Sequence, residues 1–109
     1  MTEVRLDRRG NTFRVEVKGH AGYRGEKDIV CAAESILTGI MVQKLNDWEE
    51  DGALRMYRKE IGPGYVHVEF EPKGMTARKA GYMLDTILTG FSLLEYRYPE
   101  HVKILREKE

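Results

Sequence analysis

Alternating apolar and polar residues near the start of the chain predict a β-hairpin. Over residues 3–8 and 12–18 the apolar side chains fall at every second position, as in strands with one buried face. Gly10-Asn11, between the two segments, is a two-residue turn signal. The first two strands are therefore expected to pair antiparallel.

Two later segments repeat this pattern. Residues 53–59 and 65–71 predict a second hairpin, with Ile61-Gly62-Pro63-Gly64 as its turn. Residues 102–105 predict a short last strand. The chain would then supply five strands to its fold.

The two segments between these strands have the apolar spacing of helices. The first helix is predicted from about Ile29 to Asn46 or Trp48, with Asp28 as its N-cap, and the second from Thr76 to about Arg97. The predicted core stripe of the first is Ile29, Ala33, Ile36, Leu37, Ile40 and Met41. That of the second is Ala80, Met83, Leu84, Ile87, Leu88, Phe91 and Leu94.

The order of these elements is ββαββαβ, which predicts an α+β fold. We expect a mostly antiparallel five-stranded sheet with two helices packed on one face. A chain of 109 residues is large enough to bury a core without disulfides, and we expect a single domain over residues 1–109.

Composition and charge narrow the function classes. The chain has 18 basic and 18 acidic residues, so no net charge favours nucleic acid, and direct nucleic-acid binding is not expected. No apolar stretch approaches the length of a membrane span, so no membrane partner is expected. The single cysteine excludes an intramolecular disulfide and indicates the cytoplasm, where a free thiol stays reduced.

The residues with candidate chemistry are concentrated between Gly19 and Ser35. This segment contains the only cysteine, Cys31, together with His20 and Asp28. A thiol beside an imidazole suggests nucleophilic catalysis, with His20 as the base. A lone cysteine among apolar neighbours is, however, more often a small buried side chain.

Placement near the helix start favours the catalytic interpretation. With Asp28 as the cap, Cys31 would be near position N3, where the helix dipole stabilises a thiolate. Its side chain would also point well away from the predicted apolar stripe of this helix. Asp28 could orient the imidazole or serve only as the cap, and Ser35 could join the site or bond back to its own helix.

Other polar residues give weaker indications. His67 alternates with valines on a predicted strand and is expected on the solvent face, and His101 is expected to be exposed. No pair of histidines or cysteines has metal-site spacing, and the glycines at 19, 22 and 25 do not match a dinucleotide fingerprint. We therefore expect neither a metal nor a cofactor.

Gly19-His20-Ala21, followed by Asp28-Ile29-Val30-Cys31-Ala32-Ala33 and then Ser35, resembles the signature of the Prp family of ribosomal-processing cysteine proteases. The resemblance implies a cytoplasmic, dimeric endopeptidase with Cys31 as the nucleophile and His20 as the general base. Asp28 and Ser35 occupy the motif's other polar positions.

The same resemblance implies a substrate and a substrate-binding loop. Such enzymes remove a short N-terminal extension from ribosomal large-subunit protein L twenty-seven, cutting after an aromatic residue, and some process phage capsid or scaffold proteins. The implied binding loop, which would close over the substrate, consists of Gly19, Ala21, Gly22, Tyr23 and Gly25.

Two alternatives use the same residues. Gly25 lies three residues before Asp28, whereas the family pattern has a glycine two residues before the aspartate. Glu34 is an acid at a position where small or apolar residues are usual. These departures suggest a catalytically inactive paralogue that binds the peptide or ribosomal protein without cutting it. A thiol acyltransferase is a third interpretation of the same site.

Overall fold

The computed structural model describes residues 1–19 and 26–105, with only the backbone of residues 26–28. Its elements are β1 (Thr2–Arg9), β2 (Thr12–Lys18), α1 (Glu26–Glu50), β3 (Leu54–Gly62), β4 (Tyr65–Pro72), α2 (Thr76–Arg97) and β5 (Val102–Leu105). The predicted ββαββαβ order is confirmed.

The five strands form one sheet in the order β3-β4-β2-β1-β5. All neighbours are antiparallel except β1 and β5, which pair in parallel through a register that aligns Val4 with Ile104. Both hairpin turns contain a glycine in the left-handed region, Gly10 with φ 59° and Gly64 with φ 67°. The second hairpin is tighter than predicted because β3 extends to Gly62, leaving Pro63-Gly64 as the turn.

One face of the sheet packs against the helices and forms the hydrophobic core. Its strand residues alternate with solvent-facing ones, which confirms the period-two pattern of the sequence. Phe13 and Phe70, from neighbouring strands, stack with ring centroids 5.2 Å apart. The core residues are Val4, Phe13, Val15, Val17, Val30, Met41, Leu45, Leu54, Val68, Phe70, Ala80, Leu84, Ile87, Phe91, Leu94, Val102 and Ile104.

The opposite face of the sheet carries polar side chains, most of them charged and alternating in sign across the strands. Cross-strand pairing gives two rows, Arg5–Glu16–His67–Glu60 and Asp7–Arg14–Glu69–Arg58. Arg14 Nε donates to Glu69 Oε2 at 2.9 Å, and this hydrogen bond is the main cause that lowers the pKa of Glu69. His67 lies on this face, as predicted.

Helix α1 differs from its prediction in both length and orientation. It begins at Glu26 because glutamate and lysine are good helix formers and follow Gly25 directly. Its buried positions include Val30 and Leu45 as well as Met41, whereas Ile29, Ile36 and Ile40 of the predicted stripe are exposed. The predicted register was therefore wrong by part of a turn, because apolar residues occupy two faces of this helix.

Helix α2 has the predicted bounds and the predicted core stripe. It contacts α1 at Gly90, where a Cβ atom would lie 2.6 Å from Leu37 Cδ2. Glycine at this position lets the two helices approach closely. Neither helix of the described chain has an apolar stretch long enough to cross a membrane.

Two glycines of α2 should respond differently to replacement by alanine. Gly81 has open space around its Cα, so Gly81→Ala should raise the free energy of unfolding by about 1 kcal/mol through helix propensity alone. Gly90→Ala gains the same propensity but must displace Leu37, so we expect a smaller gain or a loss. Urea denaturation of both variants checks this order, and equal stabilisation would contradict it.

Candidate functional site

Gly19 directly follows β2, at the point where three chain segments meet. Its φ of 113° is accessible to glycine, and its N–H donates to the carbonyl oxygen of Gly64 at 2.9 Å. A Cβ atom here would overlap the carbonyl oxygen of Met1. These contacts hold the start of β1, the end of β2 and the β3–β4 hairpin together.

Most of the predicted binding loop lies outside the described residues. This applies to Ala21, Gly22, Tyr23 and Gly25, and the predicted general base His20 lies outside them too, so these roles remain predictions. Asp28 is described by its backbone alone and is the third residue of α1. The prediction that Asp28 is the N-cap was therefore wrong, because the helix starts two residues before it.

Cys31 is the sixth residue of α1 and lies beyond the first helical turn. Only the first four N–H groups of a helix lack a partner within it, and the dipole effect falls off within the first turn. The predicted position near N3 was thus wrong. Any activation of the thiol depends more on neighbouring side chains than on the helix end.

The Cys31 side chain lies at the border between core and surface. It is a free thiol, partly buried, and packs against the hydrophobic core. At about 100° per residue it points roughly 80° from the centre of the buried stripe of α1. The expectation that it points well away from the apolar stripe was wrong, because the stripe that packs on the sheet is centred nearer to Cys31.

A groove runs along the same side of α1 as Cys31. Ser35, Thr38, Val42 and Asn46 follow Cys31 at helical spacing, and all four line a cavity of about 390 Å³ between α1 and the β3–β4 hairpin. We call this cavity the helix–hairpin groove. Ser35 is exposed; it is Thr38 whose hydroxyl bonds back to the helix, donating to the carbonyl oxygen of Glu34 at 2.9 Å.

The opposite wall of the groove is formed by the hairpin and the end of β2. Val17 and Val66 form part of its apolar base, and Tyr65 lies beside them. The Tyr65 ring itself lies on the opposite, charged face of the sheet, where its hydroxyl donates to Glu16 Oε2 at 3.4 Å. Desolvation, followed by the negative charges of Glu16 and Glu60, raises the pKa of Tyr65, so the phenol remains a neutral donor.

A buried carboxylate beneath the site was not predicted to have a structural role. Glu34, which lines the same groove, is 8% exposed and accepts a hydrogen bond from the Thr2 hydroxyl at 3.0 Å. This contact fixes the start of β1 to α1, one turn beyond Cys31. The only signal of this structural role in the sequence was the position of Glu34, an acid between Val30 and Leu37 on the side of the helix that is buried.

The described residues supply one thiol, Cys31, on the same side of α1 as residues that line the open groove. Within residues 1–19 and 26–105 there is no group of three or more histidine, cysteine, aspartate or glutamate side chains that could hold a metal ion. A thiol beside a long groove defines a class, the thiol-dependent enzymes that act on an extended ligand.

The sequence matches the family model of cysteine protease Prp over residues 1–103, and the chain belongs to this family of cysteine proteases. The family resemblance of the His20 to Ser35 motif is thereby confirmed. A comparison with curated protein sequences finds no significant match.

Solved structures show the same fold. SMU.848 from Streptococcus mutans is 25% identical with a TM-score of 0.67, covering 95% of each chain. The ribosomal processing protease Prp from S. aureus, with a covalently linked product peptide, is 21% identical with a TM-score of 0.66 over 98% of this chain and 100% of that one. Its complex with a substrate peptide is 19% identical, also with a TM-score of 0.66, over 97% of each chain.

Proposed function

We propose that this cysteine protease is an endopeptidase that removes a short N-terminal extension from ribosomal large-subunit protein L twenty-seven. Family membership and the S. aureus protease, described as an essential ribosomal processing enzyme, support this substrate. The observation that carries the proposal is the shared helix face, on which Cys31 is followed by the residues that line the helix–hairpin groove. Phage capsid or scaffold proteins with a similar sequence are further substrates under this proposal.

The dimensions of the groove suit an extended peptide. Ser35 and Asn46 are eleven residues apart on α1, or about 16 Å at 1.5 Å per residue. An extended chain rises about 3.3 Å per residue, so the groove accommodates about five residues. Its apolar base, with polar side chains along the rim, suits a substrate that presents apolar side chains from an exposed backbone.

The proposed reaction is acyl transfer through a thioester. His20 accepts the proton of the Cys31 thiol, and the thiolate attacks the scissile carbonyl carbon. The amine leaves with the proton returned by His20, and water then hydrolyses the thioester to regenerate the thiol. Because α1 begins at Glu26, the unpaired N–H groups of its first turn are the donors we assign to the developing oxyanion.

Cleavage of a 15-residue peptide centred on the L twenty-seven processing site tests the substrate. Mass spectrometry should show two fragments from one cut after an aromatic residue. The matched control is a peptide with the same composition in scrambled order, which should remain intact. Cleavage of both peptides at comparable rates would contradict the proposed specificity.

The partly buried position of Cys31 favours a second candidate, a peptide-binding paralogue without turnover. The rate of alkylation by iodoacetamide as a function of pH separates the two. The alkylation rate of an ordinary thiol rises with a midpoint at about pH 8.5, whereas that of a thiolate stabilised by an imidazole partner rises with a midpoint at about pH 6. The lower midpoint supports the enzyme, and the higher one supports the inactive paralogue.

We further propose that the protein is a cytoplasmic homodimer that associates through its outer helical face. Ile29, Ile36 and Ile40 form an exposed apolar stripe on α1, and Leu93 and Tyr96 are exposed on α2. Contiguous exposed apolar surface of this kind is typical of interfaces. A two-fold axis would bring the same stripe of a second copy against it, while the charged sheet face remains in water.

A charge placed in this stripe should dissociate the dimer. We expect light scattering to give twice the 12.6 kDa chain mass for the natural sequence and a single chain mass for Ile36→Lys. Met75→Lys is the matched control, because Met75 is 86% exposed but lies at the start of α2, away from the stripe. A dimer that persists in Ile36→Lys would place the interface elsewhere.

A further inference from the structure

Two amide side chains lie at the end of the helix–hairpin groove farthest from Cys31. Gln43 and Asn46 both line the groove and are three residues apart on α1. Each already makes hydrogen bonds within the protein, and those bonds determine which of its atoms remains available to a ligand.

Asn46 is fixed by two donors from β3. Its Oδ1 accepts from the Tyr57 hydroxyl at 2.9 Å and from Lys59 Nζ at 2.9 Å. An ammonium group can only donate, so Oδ1 must be the acceptor and the amide orientation is determined. Burial, followed by the charge of Glu49, raises the pKa of Tyr57, which keeps its hydroxyl protonated as a donor.

Gln43 has the complementary arrangement. Its Nε2 donates to Asp47 Oδ1 at 2.9 Å. A carboxylate only accepts, so the nitrogen is committed to Asp47 and the carbonyl oxygen Oε1 remains an acceptor. Together the two residues offer a donor, Asn46 Nδ2, and an acceptor, Gln43 Oε1.

We propose that Asn46 and Gln43 form a distal subsite that hydrogen-bonds the backbone of an extended substrate about five to seven residues from the scissile bond. One residue of an extended chain directs its N–H donor and its C=O acceptor to the same side, and these match Gln43 Oε1 and Asn46 Nδ2. The subsite recognises the length and extended conformation of the peptide rather than its side chains. The inference rests on the proposed peptidase function, since it assumes that the groove holds the substrate.

Two variants remove the ligand-facing atom and keep the intramolecular bond. Asn46→Asp retains an acceptor for Tyr57 and Lys59 but has no N–H donor. Gln43→Lys retains a donor for Asp47 but has no acceptor. Asn11→Asp, in the distant β1–β2 turn, controls for the added negative charge.

Binding is measured by fluorescence anisotropy in a Cys31→Ala background, so the result does not depend on turnover. The probes are the 15-residue peptide defined above and two shortened forms, each retaining two residues on one side of the cleavage site. We expect Asn46→Asp and Gln43→Lys each to weaken binding of the long peptide about three- to tenfold, as for one neutral hydrogen bond. The shortened peptide that does not reach the subsite should already bind weakly, and neither substitution should change its affinity.

The subsite would be overturned if the variants weakened binding of all three peptides equally, or if they did not weaken binding of the long peptide. A similar loss of affinity for the long peptide in Asn11→Asp would also overturn it. If the long peptide binds as expected but the enzyme with Cys31 does not cleave it, the subsite stands and the proposed peptidase activity fails. If the enzyme cleaves and the variants bind normally, only the subsite fails.

Discussion

Cys31→Ala should lower kcat/KM for the L twenty-seven peptide by on the order of 10⁴-fold or more, because no acyl-enzyme can form without the thiol. The substitution removes one sulfur atom from a partly buried position, so we expect the free energy of unfolding to change by only about 1 kcal/mol. Cleavage assays by chromatography, with circular dichroism to verify folding, measure both quantities.

Ser35→Ala is the matched control for this loss. Ser35 lies one turn beyond Cys31 on the same side of α1 and is exposed at the groove. Because its hydroxyl does not form the covalent bond, we expect Ser35→Ala to reduce kcat/KM about tenfold at most. Cleavage by Cys31→Ala within about tenfold of the natural rate would show that another residue is the nucleophile.

Gly19→Ala should be the most destabilising single substitution near the site. Its φ of 113° is strained for any residue with a Cβ atom, and the new methyl group would overlap the backbone of Met1. Strain of about 1–3 kcal/mol and a clash of similar size together predict a loss of about 3 kcal/mol or more. Urea denaturation should show a clearly lower midpoint, accompanied by loss of cleavage.

Gly52→Ala separates the two causes of this destabilisation. Gly52 also has a positive φ, 72°, but a Cβ atom there would meet nothing within 4 Å. It should lose only about 1–2 kcal/mol, the cost of the left-handed conformation. If both variants lose the same amount, the contact between Gly19 and Met1 contributes nothing, and the start of β1 is not held in the way we describe.

The fold was predictable where the apolar pattern had a single solution. In α2 one continuous stripe at helical spacing, from Ala80 to Leu94, stands out from the few other apolar residues, so it could be assigned from spacing alone. In α1 they lie on two sides, and spacing could not decide whether Ile36 or Val30 faces the sheet. That choice depends on packing with strands that are distant in the sequence. Because the wrong side of α1 was predicted to be buried, Cys31 was expected to point farther from the core than it does.

The candidate site was predictable only in its chemistry. The motif identified the family, because residue types at short spacing are visible in a sequence, and the role it predicts for Cys31 stays a prediction. The groove was not predictable, since it requires Val42 on α1 and Val66 on β4 to face one another. The bond between Thr2 and Glu34 joins residues 32 positions apart and could not be inferred from local patterns.

The alternating charges on the uncovered face of the sheet bear on how the enzyme meets its substrate. Rows such as Asp7–Arg14–Glu69–Arg58 cancel one another at short range, so this surface projects little electric field into solution. Through this face, an enzyme that cleaves the proposed ribosomal substrate would be neither drawn to RNA phosphates nor repelled by them. This face would therefore contribute little electrostatic steering to the encounter with the peptide, and its contribution to the association rate would be nearly independent of ionic strength.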